Sequence, residues 1–235
     1  MKRTLFGLYF FSTLSAPAGL FVFSDAVMSS NRWSAQLIEQ TGPPPSFAVE
    51  DRNSGGNPDT YRHILENYGG PGTIITGHLL DGATFDPAAG GALSNLTFSM
   101  DLQVFSLNDS EGIRYAGLVF QNDSYYMNFD IIGDSQYVTN IGFWQGRTYT
   151  NLVATDFSRI FGSGPLRPDF SAAGDLIQFG YYVANGTFIH APTFSESGID
   201  NFSVSFEADA IPEPATAGFF LAGPGGWLIY RRRRR

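Results

Sequence analysis

The chain has 235 residues, no cysteine, 22 acidic against 14 basic residues and a formal net charge of −8 at neutral pH. The excess of negative charge repels phosphate backbones and excludes nucleic acid as a partner. The lack of cysteine excludes a disulfide framework, so stability has to come from a buried core, with or without a metal ion.

The N-terminus has the order of features found in a secretory signal peptide. Lys2 and Arg3 precede an apolar run over residues 5–23, and small residues ending at Ala26 stand where a signal peptidase cleaves. We therefore predict that residues 1–26 form a helical signal peptide that is removed by cleavage after Ala26. The alternative is that the apolar run remains as a membrane anchor.

The next segment, residues 41–59, is rich in proline and glycine and predicts a long surface connection. Within it Asp51, Asn53 and Asp59 supply carboxylate and amide oxygens, which are the ligands that calcium prefers. These side chains predict a calcium site. The alternative is a solvated turn in which the same residue types serve only the backbone.

The central part of the chain has the period-two alternation of β-strands. The clearest strand covers residues 96–104, where apolar residues alternate with polar ones, so one face is buried and the other is wet. Similar runs cover residues 115–121, 125–132, 137–144, 176–184 and 202–206. Many short strands separated by turn residues predict an all-β domain over residues 27–210, an antiparallel two-sheet β-sandwich of the jelly-roll type. These residues carry about −13 and no lysine, and their length suits one domain with its own core.

Three aromatic doublets lie in these predicted strands: Tyr125-Tyr126, Phe143-Trp144 and Tyr181-Tyr182. Because adjacent side chains of a strand point to opposite faces, one ring of each doublet is expected in the core and the other outside. Exposed rings stack on sugars, so Trp144, Tyr126 and Tyr182 are the candidate ligand-binding residues. The alternative is that loops or sheet curvature bury both rings of a doublet.

Signatures of known catalytic sites were sought and none is present. The sequence has no Gly-x-Ser-x-Gly elbow, Walker loop or His-Glu-x-x-His motif. His63, His78 and His190 lie in separate segments without zinc spacing and are interpreted as isolated polar residues. We therefore expect that the protein is not an enzyme. A cryptic glycoside hydrolase stays as an alternative, because the chain has enough acids for a catalytic carboxylate pair.

Two short segments suggest a family for the core. Residues 52–58 (RNSGGNP) and 198–204 (GIDNFSV) resemble jelly-roll domains of the carbohydrate-binding-module and laminin-domain-IV kind. The resemblance implies a β-sandwich. It also implies that the acid at the start of the last strand, here Asp200, holds a structural calcium ion.

The C-terminal 25 residues combine a stiff turn, an apolar run over residues 215–230 and a cationic end. The residues that carry this order are Pro212, Glu213 and Pro214 at the turn and Arg231, Arg232, Arg233, Arg234 and Arg235 at the end. The order resembles the PEP-CTERM sorting signal of exported bacterial proteins. That resemblance implies a transmembrane helix over part of residues 211–235 and recognition of the tail by an exosortase in the inner membrane of a Gram-negative bacterium.

Together these features predict an exported cell-surface or extracellular-matrix protein. Its β-sandwich is expected to be structural or adhesive toward extracellular polysaccharide. The alternative is a carbohydrate-binding module for one defined glycan.

Overall fold

The computed structural model describes residues 18–107, 113–128, 137–138 and 141–209. In these residues the chain folds into two antiparallel β-sheets packed face to face. The prediction of an all-β sandwich of the jelly-roll type is therefore confirmed. The predicted signal peptide before residue 18 and the predicted sorting tail over residues 211–235 lie outside the described residues.

Sheet A contains six strands in the order β10-β6-β13-β4-β3, and β1 pairs with the second half of β13. The strands are β1 (Gly19–Asp25), β3 (Ser46–Gly56), β4 (Asp59–Tyr68), β6 (Leu93–Ser106), β10 (Gln145–Leu152) and β13 (Thr193–Ala208). The alternation predicted for residues 96–104 is that of β6. Its apolar side chains face sheet B, and Asp101 and Gln103 lie on the outer face.

Sheet B has the strand order β11-β8-β7-β12-β5-β2, with β9 beside β7. The strands are β2 (Trp33–Thr41), β5 (Gly72–Phe85), β7 (Ile113–Gln121), β8 (Ser124–Asn128), β9 (Tyr137–Val138), β11 (Phe157–Phe161) and β12 (Ile177–Thr187). A single turn of helix, α1 (Pro87–Gly90), joins β5 to β6, and the Asp86 side chain accepts a hydrogen bond from the Ala88 N–H at its start.

The main core lies between the sheets and is rich in aromatic rings. Phe98, Phe179, Phe202 and Phe206 are almost fully buried there and contact one another edge-on or tilted. Trp33 also belongs to this core, with 6% of its surface exposed. Rings of this size bury large apolar areas and dominate the stability of a sandwich that has no disulfide.

Sheet B curls so strongly that its outer face becomes a second core. Its first and last strands, β11 and β2, approach each other although four strands separate them in the sheet. The residues buried on this outer face are Ile38, Leu79, Ala116, Leu118, Tyr125, Met127, Tyr182 and Ala184. On β5 the lack of a side chain at Gly77 leaves room for Ile38 of β2, whose Cδ1 would lie 2.7 Å from a Cβ atom there.

Two predictions about local structure are wrong. The predicted surface connection over residues 41–59 is mostly β3, an edge strand. Only Phe47 and Val49 are half-buried near its start, and residues 50–55 are exposed, so the alternation that marks a half-buried strand is confined to a few residues. The helix predicted within residues 1–26 is wrong for Gly19–Asp25, which forms β1. Aromatic side chains of β1 pack on the main core, with the rings of Phe21 and Phe206 stacked at 5.2 Å.

Among the residues described, no helix has both the length and the apolar character needed to cross a membrane.

Candidate functional site: an aromatic platform on sheet A

The outer face of sheet A carries a cluster of aromatic side chains from three parts of the chain. Tyr61 on β4, Phe105 on β6 and Trp144 just before β10 contact one another, with ring centroids 5.3 to 6.3 Å apart. We call these three residues the aromatic platform. Trp144 and Phe105 are partly exposed, whereas Tyr61 is buried beneath them at 8% exposure. The platform therefore presents ring surface to solvent on a rigid strand base.

The position of Trp144 is fixed by its indole nitrogen. Nε1 donates a hydrogen bond of 2.9 Å to the carbonyl oxygen of Gly55 at the end of β3. The Trp144 ring also meets Tyr61 edge-on, at an interplanar angle of 74°. Trp144 is the one candidate of the three predicted ligand-binding residues that the structure places partly at the surface. It lies outside the strands rather than within one.

Gly198 on β13 forms the floor of the platform. A Cβ atom at this position would lie 2.8 Å from Tyr61 Cδ2 and 3.0 Å from Phe105 Cε2. Real Cβ atoms rarely come this close to other atoms, so the two rings can approach β13 this closely only because residue 198 has no side chain. The glycine thus determines where the platform sits on the sheet.

Charged side chains surround the rings on the same face. His63 lies between two acids, with Nδ1 3.5 Å from Glu50 Oε1 and Nε2 4.0 Å from Glu196 Oε1. Arg52 Nη2 is 2.7 Å from Glu50 Oε1. Glu50, Arg52 and Glu196 are accessible to solvent at least in part. They offer donors and acceptors beside an apolar ring surface, which is the combination that binds sugar hydroxyls and the faces of pyranose rings.

The two segments that carried the family resemblance meet at one edge of this face. The buried Asp200 carboxylate accepts hydrogen bonds from the Asn57 N–H at 2.6 Å and from the Asn201 N–H at 2.8 Å. The Asn57 and Asn201 side-chain amides both donate to Asp101 Oδ2. Burial raises the pKa of Asp200, and the two backbone N–H groups oppose that rise. Asp200 therefore connects the β3–β4 turn to the middle of β13. It does not stand at the start of the last strand, as the resemblance implied.

The predicted calcium ligands are spread over several places. Asp51 on β3 accepts hydrogen bonds from the backbone N–H and the hydroxyl of Ser30, and Asn53 and Asp59 are exposed. No group of three or more acidic, histidine or cysteine side chains with the geometry of a metal site occurs in the described part of the chain. The calcium ion stays a prediction. The structure does not bring the four predicted ligands together, and Asp200 lies beside further oxygen-bearing side chains, those of Asn57 and Asn201.

The prediction of outward-facing rings at Tyr126 and Tyr182 is wrong. Tyr126 has no exposed surface and belongs to the main core, while Tyr182 is 3% exposed and belongs to the second core. Their doublet partners Tyr125 and Tyr181 are buried as well. Neighbouring rings do point to opposite faces of sheet B, but the curl of the sheet buries both faces. In these two doublets the alternative that both rings are buried is the one observed, whereas in the third Phe143 is 73% exposed and Trp144 is partly exposed.

A set of polar side chains is buried between the sheets, away from the platform. Glu66 on β4 accepts hydrogen bonds at Oε2 from the Ser195 and Tyr68 hydroxyls, at 3.2 and 3.3 Å. Burial raises the pKa of Glu66 to about 7, against the lowering effect of these hydrogen bonds. His78 is fully buried and stacks on Tyr181 with centroids 4.4 Å apart, and burial lowers its pKa, so it is neutral near pH 7.

Sequence reasoning missed Tyr61 and Phe105. A signal for Phe105 was present, because it follows Asp101 and Gln103 on the wet face of the predicted strand, where a large apolar ring is unexpected. Tyr61 could not be identified from the sequence, since it comes just after the segment that was interpreted as a surface connection. The pairing of β4 with β13 and of β13 with β6 brings the two together.

Comparison with protein-family models and with curated protein sequences finds no match. Among solved structures the fold is similar to a family 11 carbohydrate-binding module from Clostridium thermocellum, in complex with a β-1,3-1,4-mixed-linked tetrasaccharide. That likeness has 14% identity and a TM-score of 0.44, and covers 84% of this chain and 100% of the module. The fold is also similar to the carbohydrate-binding module TmCBM27, described for specific mannan recognition, with 11% identity, a TM-score of 0.38 and coverage of 81% and 98%.

Proposed function

We propose that this protein is an exported, non-enzymatic surface or matrix protein that binds extracellular polysaccharide through the aromatic platform. The observation that carries the proposal is the partly exposed Trp144 ring, fixed by Gly55 and set among polar side chains on the outer face of sheet A. A rigid, flat apolar ring beside hydrogen-bonding groups is suited to the face of a pyranose.

A platform of this kind binds a single glycan chain weakly. It buries little area and has to order a flexible sugar, so we expect dissociation constants of roughly micromolar to millimolar at one site. Many copies held at one surface convert such weak binding into firm adhesion through their effective concentration. This fits the sorting tail predicted over residues 211–235, which we propose is recognised by an exosortase after signal peptidase has acted at the N-terminus. The protein is then anchored transiently in the inner membrane of a Gram-negative bacterium before it reaches the cell surface.

The binding proposal is tested with Trp144→Ala and affinity electrophoresis. The gels contain mannan, mixed-linkage β-glucan or the exopolysaccharide of the producing bacterium. Wild type is expected to be retarded by at least one of them, and Trp144→Ala to migrate as in an empty gel. Phe188→Ala is the matched control, since Phe188 is 81% exposed and lies on a different part of the surface. Equal retardation of wild type and Trp144→Ala would contradict the platform as the site.

The same gels separate adhesion from a module with one defined glycan. Retardation by a single polymer of the panel identifies a dedicated carbohydrate-binding module. Retardation by several polymers identifies a general adhesive surface.

The sorting proposal is tested by deleting residues 211–235. The shortened protein is expected to be exported and folded but recovered in the soluble fraction, whereas the full chain is first found with the inner membrane. Recovery of the shortened protein in the membrane after signal cleavage would contradict the sorting role of the tail.

One arrangement favours a second candidate. Glu50 and Glu196 lie on opposite sides of His63, next to the platform, and glycoside hydrolases use two carboxyl groups that flank the scissile bond. Release of reducing sugar from the bound polymer, lost in Glu196→Gln with binding retained, would replace the non-enzymatic proposal by a hydrolase.

A further inference from the structure

Strand β1 lies inside the segment predicted to be removed as a signal peptide, yet it is part of the folded domain. All seven residues of Gly19–Asp25 pair with β13, from Gly19 with Ala208 to Asp25 with Phe202. Phe21 contacts Phe85 and Phe206 at ring distances of 5.1 and 5.2 Å. Cleavage after Ala26 would remove this strand from sheet A and uncover the main core along it.

The last residue of β1, Asp25, is held by several polar contacts. Asp25 is 3% exposed, and its Oδ2 accepts a hydrogen bond of 2.9 Å from Trp33 Nε1 while its Oδ1 accepts one of 3.1 Å from the Met28 N–H. Arg32 Nη1 lies 3.4 Å from Asp25 Oδ1. Without Asp25 the buried indole N–H would lose its acceptor, and a buried donor without a partner is costly. The fold therefore needs residue 25 in the mature protein.

A second set of small residues stands directly before the strand. Ala16, Pro17 and Ala18 follow an apolar run over residues 5–14, and signal peptidases read small residues at the first and third positions before the bond they cleave. The apolar run then has about ten residues, within the usual range of about 7 to 15. With cleavage after Ala26 the run would be longer than that range. Ala18 and Gly19 are exposed at the end of β1.

We infer that a signal peptidase cleaves between Ala18 and Gly19, so that the mature protein begins with β1. The reaction is hydrolysis of one peptide bond, in which water is consumed and a carboxylate remains on Ala18 and an amine on Gly19. The inference rests on the proposed export of the protein. It differs from that proposal in fixing which residues enter the folded domain, namely the whole of Gly19–Asp25.

The test is to produce the full chain with its own N-terminus in a Gram-negative host and to sequence the N-terminus of the protein in every cell fraction. We expect the exported protein to start at Gly19. An exported protein that starts at Val27, or that keeps Met1, overturns the inference and leaves export in place. A chain found only in the cytoplasm with residues 1–18 intact overturns both the inference and the proposed export.

Two matched variants sharpen the result. Ala18→Phe places a large side chain directly before the inferred bond and is expected to abolish the mature form. Ala26→Phe makes the same change at the other candidate position, where residue 26 is also exposed, and is expected to be processed at Gly19 like wild type. Normal processing of Ala18→Phe, or failure of Ala26→Phe alone, would place the cleavage after Ala26.

Discussion

The Tyr125 hydroxyl donates a hydrogen bond of 2.6 Å to Gln36 Oε1 across the outer face of sheet B, although strands β7, β12 and β5 lie between β8 and β2. This bond joins the two sides of the curled sheet above the second core. It closes the face that a less curved sheet would leave open. For this reason Tyr125 and Tyr182 on the outer face of sheet B are buried, whereas Trp144 and Phe105 on sheet A are partly exposed.

We predict that Tyr125→Phe lowers the free energy of unfolding by about 1 kcal/mol, the usual net value of one hydrogen bond. Gln36→Leu should cost a similar amount, and the double variant should cost no more than the larger single change, because both remove the same interaction. Urea denaturation of the four proteins measures the coupling. Additive effects of the two substitutions would show that the bond does not hold the sheet edges together.

Glycine is expected to be required at position 198 for binding. Gly198→Ala adds a methyl group that displaces the Tyr61 and Phe105 rings, so retardation by polysaccharide should fall at least tenfold while the protein stays folded. Gly69→Ala is the control, because a Cβ atom there meets only Pro43, at an ordinary 3.4 Å. Unchanged binding by Gly198→Ala would mean that the two rings need not keep their places for sugar recognition.

The buried Glu66 predicts a pH-dependent stability. Its carboxyl has a pKa of about 7 in the folded protein, against 4.5 for an unperturbed glutamate. The folded state therefore holds the proton more tightly, and stability is fully present below about pH 4.5 and is lost as the pH rises through about 7. Each pKa unit corresponds to about 1.4 kcal/mol, so the total loss is about 3 kcal/mol.

Glu66→Gln keeps a neutral, hydrogen-bonding side chain at every pH. We expect this variant to be more stable than wild type by up to about 3 kcal/mol at pH 8 and nearly equal to it at pH 4. The measurement is denaturant unfolding at both pH values, with the exposed Glu39→Gln as control. A difference between wild type and Glu66→Gln that is the same at pH 4 and pH 8 would contradict burial of the carboxyl as its cause.

Calcium stabilisation is predicted from Asp200 and Asp51. An ion that binds only the folded state at a hundred times its dissociation constant adds about 2.7 kcal/mol to the free energy of unfolding. A thermal melt should therefore shift upward with calcium and downward with a chelator. Asp200→Asn is expected to abolish the shift, and Asp51→Asn tests the separate position at β3. Identical wild-type melts in calcium and in chelator would rule out the ion.

The sequence predicted the fold class because strands such as β6 are half-buried, and a half-buried strand shows its alternation directly. It did not predict β3, in which residues 50–55 are exposed on both faces, or β1, whose apolar residues have the composition of a signal peptide. Trp144 was found from its doublet. Its partners Tyr61 and Phe105 are 44 residues apart in the chain and meet only through strand pairing, which local patterns do not encode.

The misassigned tyrosines have a different physical cause. Period-two reasoning correctly separates Tyr125 from Tyr126 onto opposite faces of β8. It contains no information about the curvature of the sheet, and curvature is what covers the outer ring. The same holds for Tyr181 and Tyr182 on β12.

The pairing of Gly19 with Ala208 places both ends of the described domain at the same pole of the molecule. Gly198, under the platform, lies about ten residues earlier in β13, which at roughly 3.3 Å per residue corresponds to about 30 Å along the strand. A molecule tethered through either end would therefore hold its rings up to about 30 Å from the point of attachment. The length of β13 would then itself act as the spacer between the point of attachment and the rings.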